Sequence, residues 1–332
     1  MDQSDSASTI VSGRVHDGVA AQARFGLGPA PGVWRAIASD PRGYVRAQLD
    51  DPQAALIREP GLLGYYEIQV RDESFLGRQR VASLSNQPDK SKERERSAAS
   101  LAKLSAQMDT SPLAEDGTGR GSYTLYRSEV GARIRHGART GAPFLERWVL
   151  FWDDHFTASA YRNGRVQLFA GAREREKIRP HVLGSFRDLL RAATLDPAML
   201  DYLNNDASVG PGSPAAKRNG TLGLNENLGR ELLELHTVGV NGGYHQADVI
   251  EAAKILTGWR GSKLQDLAER PDLVTFARWR HEPGDRVVLG ATYRGEGPEA
   301  IDALLDDLAR HPATARFIAT KVARSFVASD PP

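Results

Sequence analysis

Apolar residues recur along most of the chain at the three- and four-residue steps of an amphipathic helix. Val15, Val19 and Ala23 begin the series, and Asp40-Pro41 supplies a capping side chain and a first-turn proline for a helix reaching about Leu49. Tyr126, Val130 and Ile134 repeat every four residues and lead into the apolar run that starts at Phe144. Ile178, Val182, Phe186, Leu189 and Leu190 mark a further amphipathic segment, and Asp196-Pro197 restarts a helix with Met199, Leu200, Tyr202 and Leu203. Helices are also predicted over 224–237, 248–259, 298–310 and 312–327. Strand character is confined to 274–294, where Val287-Val-Leu289 and Ala291-Thr-Tyr293 flank Gly290. The pattern predicts a mainly α fold, a multi-helix globular bundle with at most one short β-hairpin near 287–293, built as a single helical domain over 1–332.

Three stretches break the periodicity. Phe25-Gly-Leu-Gly-Pro-Ala-Pro-Gly32 ends the first helix; it is not a nucleotide loop, because no strand precedes Gly26 and Gly28, and Pro29 follows them. Residues 71–121 read as a charged excursion or linker, with Lys90-Ser-Lys-Glu-Arg-Glu-Arg96 mixing both signs and Asp116-Gly-Thr-Gly-Arg-Gly-Ser122 as a flexible break. Asn204 to Gly223, rich in Asn, Gly, Ser and Pro, is longer than a simple connection requires, and loops of that length commonly carry function.

Composition narrows the classes. Lys and Arg (43) nearly balance Asp and Glu (42), which leaves no global attraction to nucleic acid or to an anionic membrane. With no cysteine, disulfides, thiol catalysis, Cys-ligated zinc and iron–sulfur clusters are excluded. The first residues carry neither a basic region nor an apolar core of a signal peptide, and no window has the apolar length of a membrane span, so a cytoplasmic location is the default, with periplasmic or secreted placement left open.

Chemistry is most plausible where polar groups sit among apolar ones. Phe-Trp-Asp-Asp-His, residues 151–155, does this, and a buried Asp or His needs hydrogen bonds, a countercharge or a metal. In the 224–237 segment, Glu231 and Glu234 stand at i and i+3, a spacing that suits a metal or an acid–base pair and equally an ordinary ion-pair network with Arg230. His236 lies about 140° around a straight helix from Glu231, so the two do not chelate one ion there. His155, Glu231, Glu234 and His236 are the candidate catalytic residues; Lys217, Arg218, Arg230 and His281 are the candidate substrate-binding residues, His281 being expected on an exposed loop. Leu224, Leu228, Leu232 and Leu235 line one apolar arc, and Leu228, Leu232 and Leu235 are expected to join Trp148, Phe151 and Trp152 in one core. His311, before Pro312, is expected to serve a helix N-terminus.

Ordered motifs resemble a bacterial family known as domain of unknown function 1800. They are Arg24-Phe-Gly-Leu-Gly-Pro29, Trp148-Val-Leu-Phe-Trp-Asp-Asp-His-Phe156, Ile178-Arg-Pro-His-Val-Leu-Gly184, Asp196-Pro-Ala-Met-Leu200, the run Asn225 to Thr237, Gly242-Gly-Tyr244, Leu256-Thr-Gly-Trp259, His281-Glu-Pro-Gly284 and His311-Pro-Ala-Thr-Ala315. The resemblance implies a largely helical, uncharacterised protein whose genomic neighbour, of the domain of unknown function 1501 family, is a candidate partner. Asp154 departs from the Asn usual in the family, and the likeness implies further helices beyond the Phe326 motif, so that the chain reads as incomplete at its C-terminus. Three functions are compatible with these residues. One is a hydrolase with a His/carboxylate site, general-base or assisted by a divalent metal; the others are a non-catalytic interaction or scaffold protein, and a binder of anions or polysaccharide.

Overall fold

Asp40 accepts a hydrogen bond from Gly43 N, and Asp196 from Met199 N, so two of the aspartate–proline pairs cap helices as the sequence predicts. The computed structural model describes residues 17–28, 33–113, 121–295 and 297–331. The amino-terminal stretch 1–16, Pro29–Gly32 of the first break and most of the 116–122 break lie outside the described residues. The helices are α1 (17–25), α2 (Val33–Ser39), α3 (Pro41–Ala47), α4 (Tyr65–Leu84), α5 (Ser91–Ser105), α6 (Ser122–Arg139), α7 (Pro143–His155) and α8 (Gly164–Arg173). They continue as α9 (Phe186–Thr194), α10 (Pro197–Tyr202), α11 (Pro214–Arg218), α12 (Asn227–Glu231), α13 (Gln246–Leu256), α14 (Leu264–Glu269), α15 (Glu299–Arg310) and α16 (Pro312–Phe326). The protein is mainly α.

Two antiparallel strand pairs accompany the helices, one more than the periodicity predicts. The expected hairpin is present as β3 (Arg286–Val288) and β4 (Ala291–Tyr293); its turn places Leu289 at φ 51° and Gly290 at φ 79°, the two left-handed residues of a type I′ turn. The other pair, β1 (Trp259–Gly261) with β2 (Val274–Phe276), has α14 between its strands. Strands of three residues are too short to show a two-residue period.

The largest core cluster unites Leu145, Val149 and Trp152 of α7, Leu189 and Leu190 of α9, Leu228 of α12, Val249 and Ile255 of α13, Leu304 and Leu305 of α15, and Phe326. At Gly229 a Cβ would stand 2.7 Å from Ala253 N, so the bare backbone lets α12 lie close against α13. Residues 71–121, expected as an excursion or linker, instead hold most of α4 and all of α5 packed on each other, and Val70, Leu104, Leu264 and Leu267 form a satellite core beneath them.

The segment read as one helix over 224–237 is α12 followed by a π-helical turn, Leu232–His236. The wider turn accommodates an extra residue and shifts the later side chains around the axis. Leu232 and Leu233 are fully buried, His236 is 4% exposed, and Leu235 is turned out at 44%, which corrects its expected place in the core. A second π-helical turn, Glu174–Ile178, continues α8.

The 204–223 segment is pinned at Val209 N to Gly223 O (3.0 Å), Gly210 N to Arg280 O (2.9 Å) and Gly212 N to Glu282 Oε2 (2.6 Å), and contains α11 capped by Ser213. His311 caps α16 through Ala313 N, as expected. Among the described residues, no helix is long and apolar enough to cross a membrane.

Candidate functional site

The aromatic helix α7 delivers two different environments, two residues apart near its end. On one side His155 is 4% exposed, its Nε2 3.1 Å from the His236 carbonyl oxygen and its Nδ1 2.9 Å from Lys321 Nζ. These contacts assign the Nε2–H donor to the carbonyl and leave Nδ1 to accept from the ammonium. Burial, then the Lys321 charge, pushes the His155 pKa down to about 3, against the pull of the carbonyl. His236 packs beside it with ring centroids 6.1 Å apart, and burial holds it well below the usual histidine range. Both rings are neutral near pH 7.

On the other side Asp153 faces a cavity of about 250 Å³ between α6, α8 and the 157–161 loop. A quarter of its side chain meets solvent. Its carboxylate lies 3.5 Å from Arg133 Nη1 and 3.6 Å from Arg173 Nη1, and among the described residues nothing donates a hydrogen bond to it. Burial, and next the charge of Glu174, raises its pKa to about 6, with Arg173 and Arg133 opposing.

The other charges lining the cavity are committed elsewhere. Glu174 accepts from Arg179 Nη2 (2.6 Å) and Arg133 Nη1 (2.8 Å); Arg179, fully buried, also grips Glu146 with both Nη atoms (2.7 and 2.6 Å) and donates to Ala55 O. Glu146 is held down to about 2 because Arg179 and His136 outweigh its burial. Glu129 is held by Arg175 Nη2 at 2.8 Å. Arg173, 2% exposed, donates to Phe156 O (2.6 Å) and lies 3.3 Å from Asp196. Gly171 makes the arrangement possible, since a Cβ there would stand 2.1 Å from Glu129 Cβ.

The residues singled out from the sequence disperse. His155 and His236 meet, but neither contacts Glu231, Glu234 or His281, and none of the five lines the Asp153 cavity. Glu234 accepts from Tyr244 OH at 2.8 Å, and Glu231 is raised by burial and then by Glu234. Arg230 turns to Glu226 and Gln246 rather than to either carboxylate. Lys217 and Arg218 are exposed in the last turn of α11. His281, expected on an exposed loop, is 4% exposed: its Nδ1 bonds Thr257 O at 2.9 Å and its ring packs on Phe276. Among the described residues no group of three or more His, Asp or Glu is placed to hold a metal ion. Sequence reasoning had Asp153 in its strongest motif but did not reach Arg133, Arg173 or Glu174. The available signal was the Arg173-Glu-Arg-Glu-Lys177 run directly after an apolar helix, a density of charge that only mutual pairing makes tolerable inside a fold.

A mainly helical protein with a pocket-facing carboxylate set between two guanidinium groups is thus the class this structure defines. The chain matches the family described as "Protein of unknown function (DUF1800)" over residues 20–332, and it belongs to that family. No curated protein and no solved structure matches it.

Proposed function

We propose that the chain is a hydrolase of the general-base type, cleaving a carboxylic ester at the Asp153 cavity. The observation that carries this reading is the Asp153 carboxylate itself, facing the cavity without a hydrogen bond, 3.5 and 3.6 Å from two arginines. A base with pKa about 6 is ionised at neutral pH yet basic enough to accept a proton from an attacking water. As Asp153 takes that proton, the water oxygen bonds to the acyl carbon and negative charge appears on the carbonyl oxygen. Arg133 and Arg173, no longer facing an ionised Asp153, then face the new oxyanion, so the net charge of the site is unchanged through the step. Collapse breaks the ester C–O bond, and the alcohol oxygen recovers the proton from Asp153.

The test is hydrolysis of p-nitrophenyl acetate by the purified protein from pH 4.5 to 8. The rate should climb through about pH 6 and level off, and Asp153→Asn should lower it at least about a hundredfold. An absence of hydrolysis, or equal rates in wild type and variant, overturns the proposal and favours the non-catalytic reading, in which the protein acts with a neighbouring gene product of the domain of unknown function 1501 family.

A further inference from the structure

We infer that the alcohol half of the ester is an uncharged pyranose sugar, a substrate class that rests on the hydrolase reading of Asp153. Three observations converge. Tyr161 lines the cavity yet is 88% exposed, and among the described residues its ring makes no aromatic contact and its hydroxyl no hydrogen bond. Tyr126, half-buried, lines the same cavity from α6. An aromatic face at the mouth of a pocket lined by both charged and apolar side chains suits a flat, amphipathic partner, and the axial C–H bonds of a pyranose ring present such a face.

The second observation is charge balance. Arg133 is bonded to Glu174, Arg173 to the Phe156 carbonyl and Asp196, and Glu129 to Arg175, so no arginine of the cavity is left to neutralise an anionic ligand while Asp153 is ionised. An incoming carboxylate or phosphate would be repelled by Asp153. A neutral polyol meets no such penalty, and its hydroxyls both donate and accept, which matches the Ser159 and Thr157 hydroxyls and the ion-paired oxygens of the walls.

The third is size. At about 250 Å³ the cavity falls below the range of roughly 300–1,000 Å³ that drug-sized ligands occupy. One sugar ring with an acyl group fills it, leaving the rest of an oligosaccharide to run across Tyr161. In the reaction on such a sugar, water attacks the acyl carbon, its proton goes to Asp153, the acyl C–O bond to the sugar breaks, and the released sugar oxygen takes the proton. A free acid and a de-esterified sugar leave.

The experiment uses the Asp153→Asn protein and acetylated xylo-oligosaccharide, with binding followed by calorimetry and saturation-transfer NMR, and acetate release by wild type followed in parallel. Acetylated xylo-oligosaccharide should bind Asp153→Asn; adding Tyr161→Ala should weaken binding at least tenfold, and Tyr161→Trp should restore it. Wild type should release acetate. Failure of acetylated xylo-, cello- and chito-oligosaccharides to bind, with p-nitrophenyl acetate still cleaved in an Asp153-dependent manner, overturns the sugar assignment and leaves the hydrolase reading standing. Tighter binding of a glucuronate-bearing oligosaccharide than of its neutral counterpart to the wild-type protein at pH 7.5, where Asp153 is ionised, also overturns it, because the charge argument forbids it. Saccharide binding that depends on Tyr161, without acetate release, supports the sugar site and overturns the hydrolase reading.

Discussion

Lys321 Nζ stands 2.9 Å from His155 Nδ1, so the most conspicuous histidine of the sequence is pinned between an ammonium on α16 and a carbonyl at the end of the π-helical turn after α12. The imidazole ties three segments together and has no face toward the Asp153 cavity. A proton on Nδ1 would bring a second positive charge against Lys321 in a buried site.

Acid should therefore destabilise the fold through His155. Its folded pKa of about 3 lies below its unfolded value of about 6.5, so the unfolded chain binds the extra proton and stability falls as pH drops through that window. The expected loss from this group is about 2 kcal/mol between pH 7 and pH 5. Asp153, raised to about 6, acts with the opposite sign between its unfolded pKa and 6, so urea melts are best compared in an Asp153→Asn background. Adding His155→Gln, which retains a donor for the His236 carbonyl, should remove the share of the pH slope due to His155 and leave that of the equally buried His236; an unchanged slope would sink the assignment.

Asp153→Asn should raise stability at pH 7, whatever it does to the proposed hydrolysis. A carboxyl whose pKa is raised on folding costs stability wherever it is ionised, and the cost vanishes as pH falls below its unfolded value. Discounted for the quarter of the side chain in solvent, the expected gain is about 1 kcal/mol at pH 7 and none near pH 3.5. Thermal melts at the two pH values check it, and a variant less stable than wild type at pH 7 contradicts it.

Gly171→Ala should loosen the same site from behind. The added methyl meets Glu129 Cβ at 2.1 Å, so α6 and α8 must separate or Glu129 must give up Arg175. Overpacking of this kind costs about 1–3 kcal/mol. Chemical denaturation reads the cost, and a loss below about half a kcal/mol would mean that the helices are not held at this distance.

Leu232→Ala and Leu235→Ala, three residues apart, should behave unlike each other. Fully buried Leu232 should cost about 2–5 kcal/mol, whereas Leu235, 44% exposed, should cost under about half a kcal/mol. Equal losses would show that the turn is a regular α-helix in solution.

Much of the architecture was legible because helix periodicity and capping are local. Asp40, Asp196 and His311 each announce a helix start within three residues of themselves, and Leu289-Gly290 announces its own turn. The site was less legible because its partners are remote. Arg179 meets Glu146 and Ala55, which are 33 and 124 positions away, so the charged run around Glu174 can signal a paired network without naming its partners. The histidines near acids in the sequence are kept neutral by burial and then by neighbouring positive charge, not by a carboxylate. The extra residue of each π-helical turn leaves no mark in composition, so the faces assigned to Leu235 and His236 could not be read from a straight-helix projection.

The turn at Leu232–His236 also has a meaning for change over time. A helix carrying one residue more than its hydrogen-bond ladder needs can lose that residue and keep both of its ends in place. Deleting Leu235 should therefore give a continuous α-helix in the same fold, with the residues beyond the turn holding their places. A swelling of this kind is a place where the chain can gain or lose one residue without disturbing the packing on either side of it.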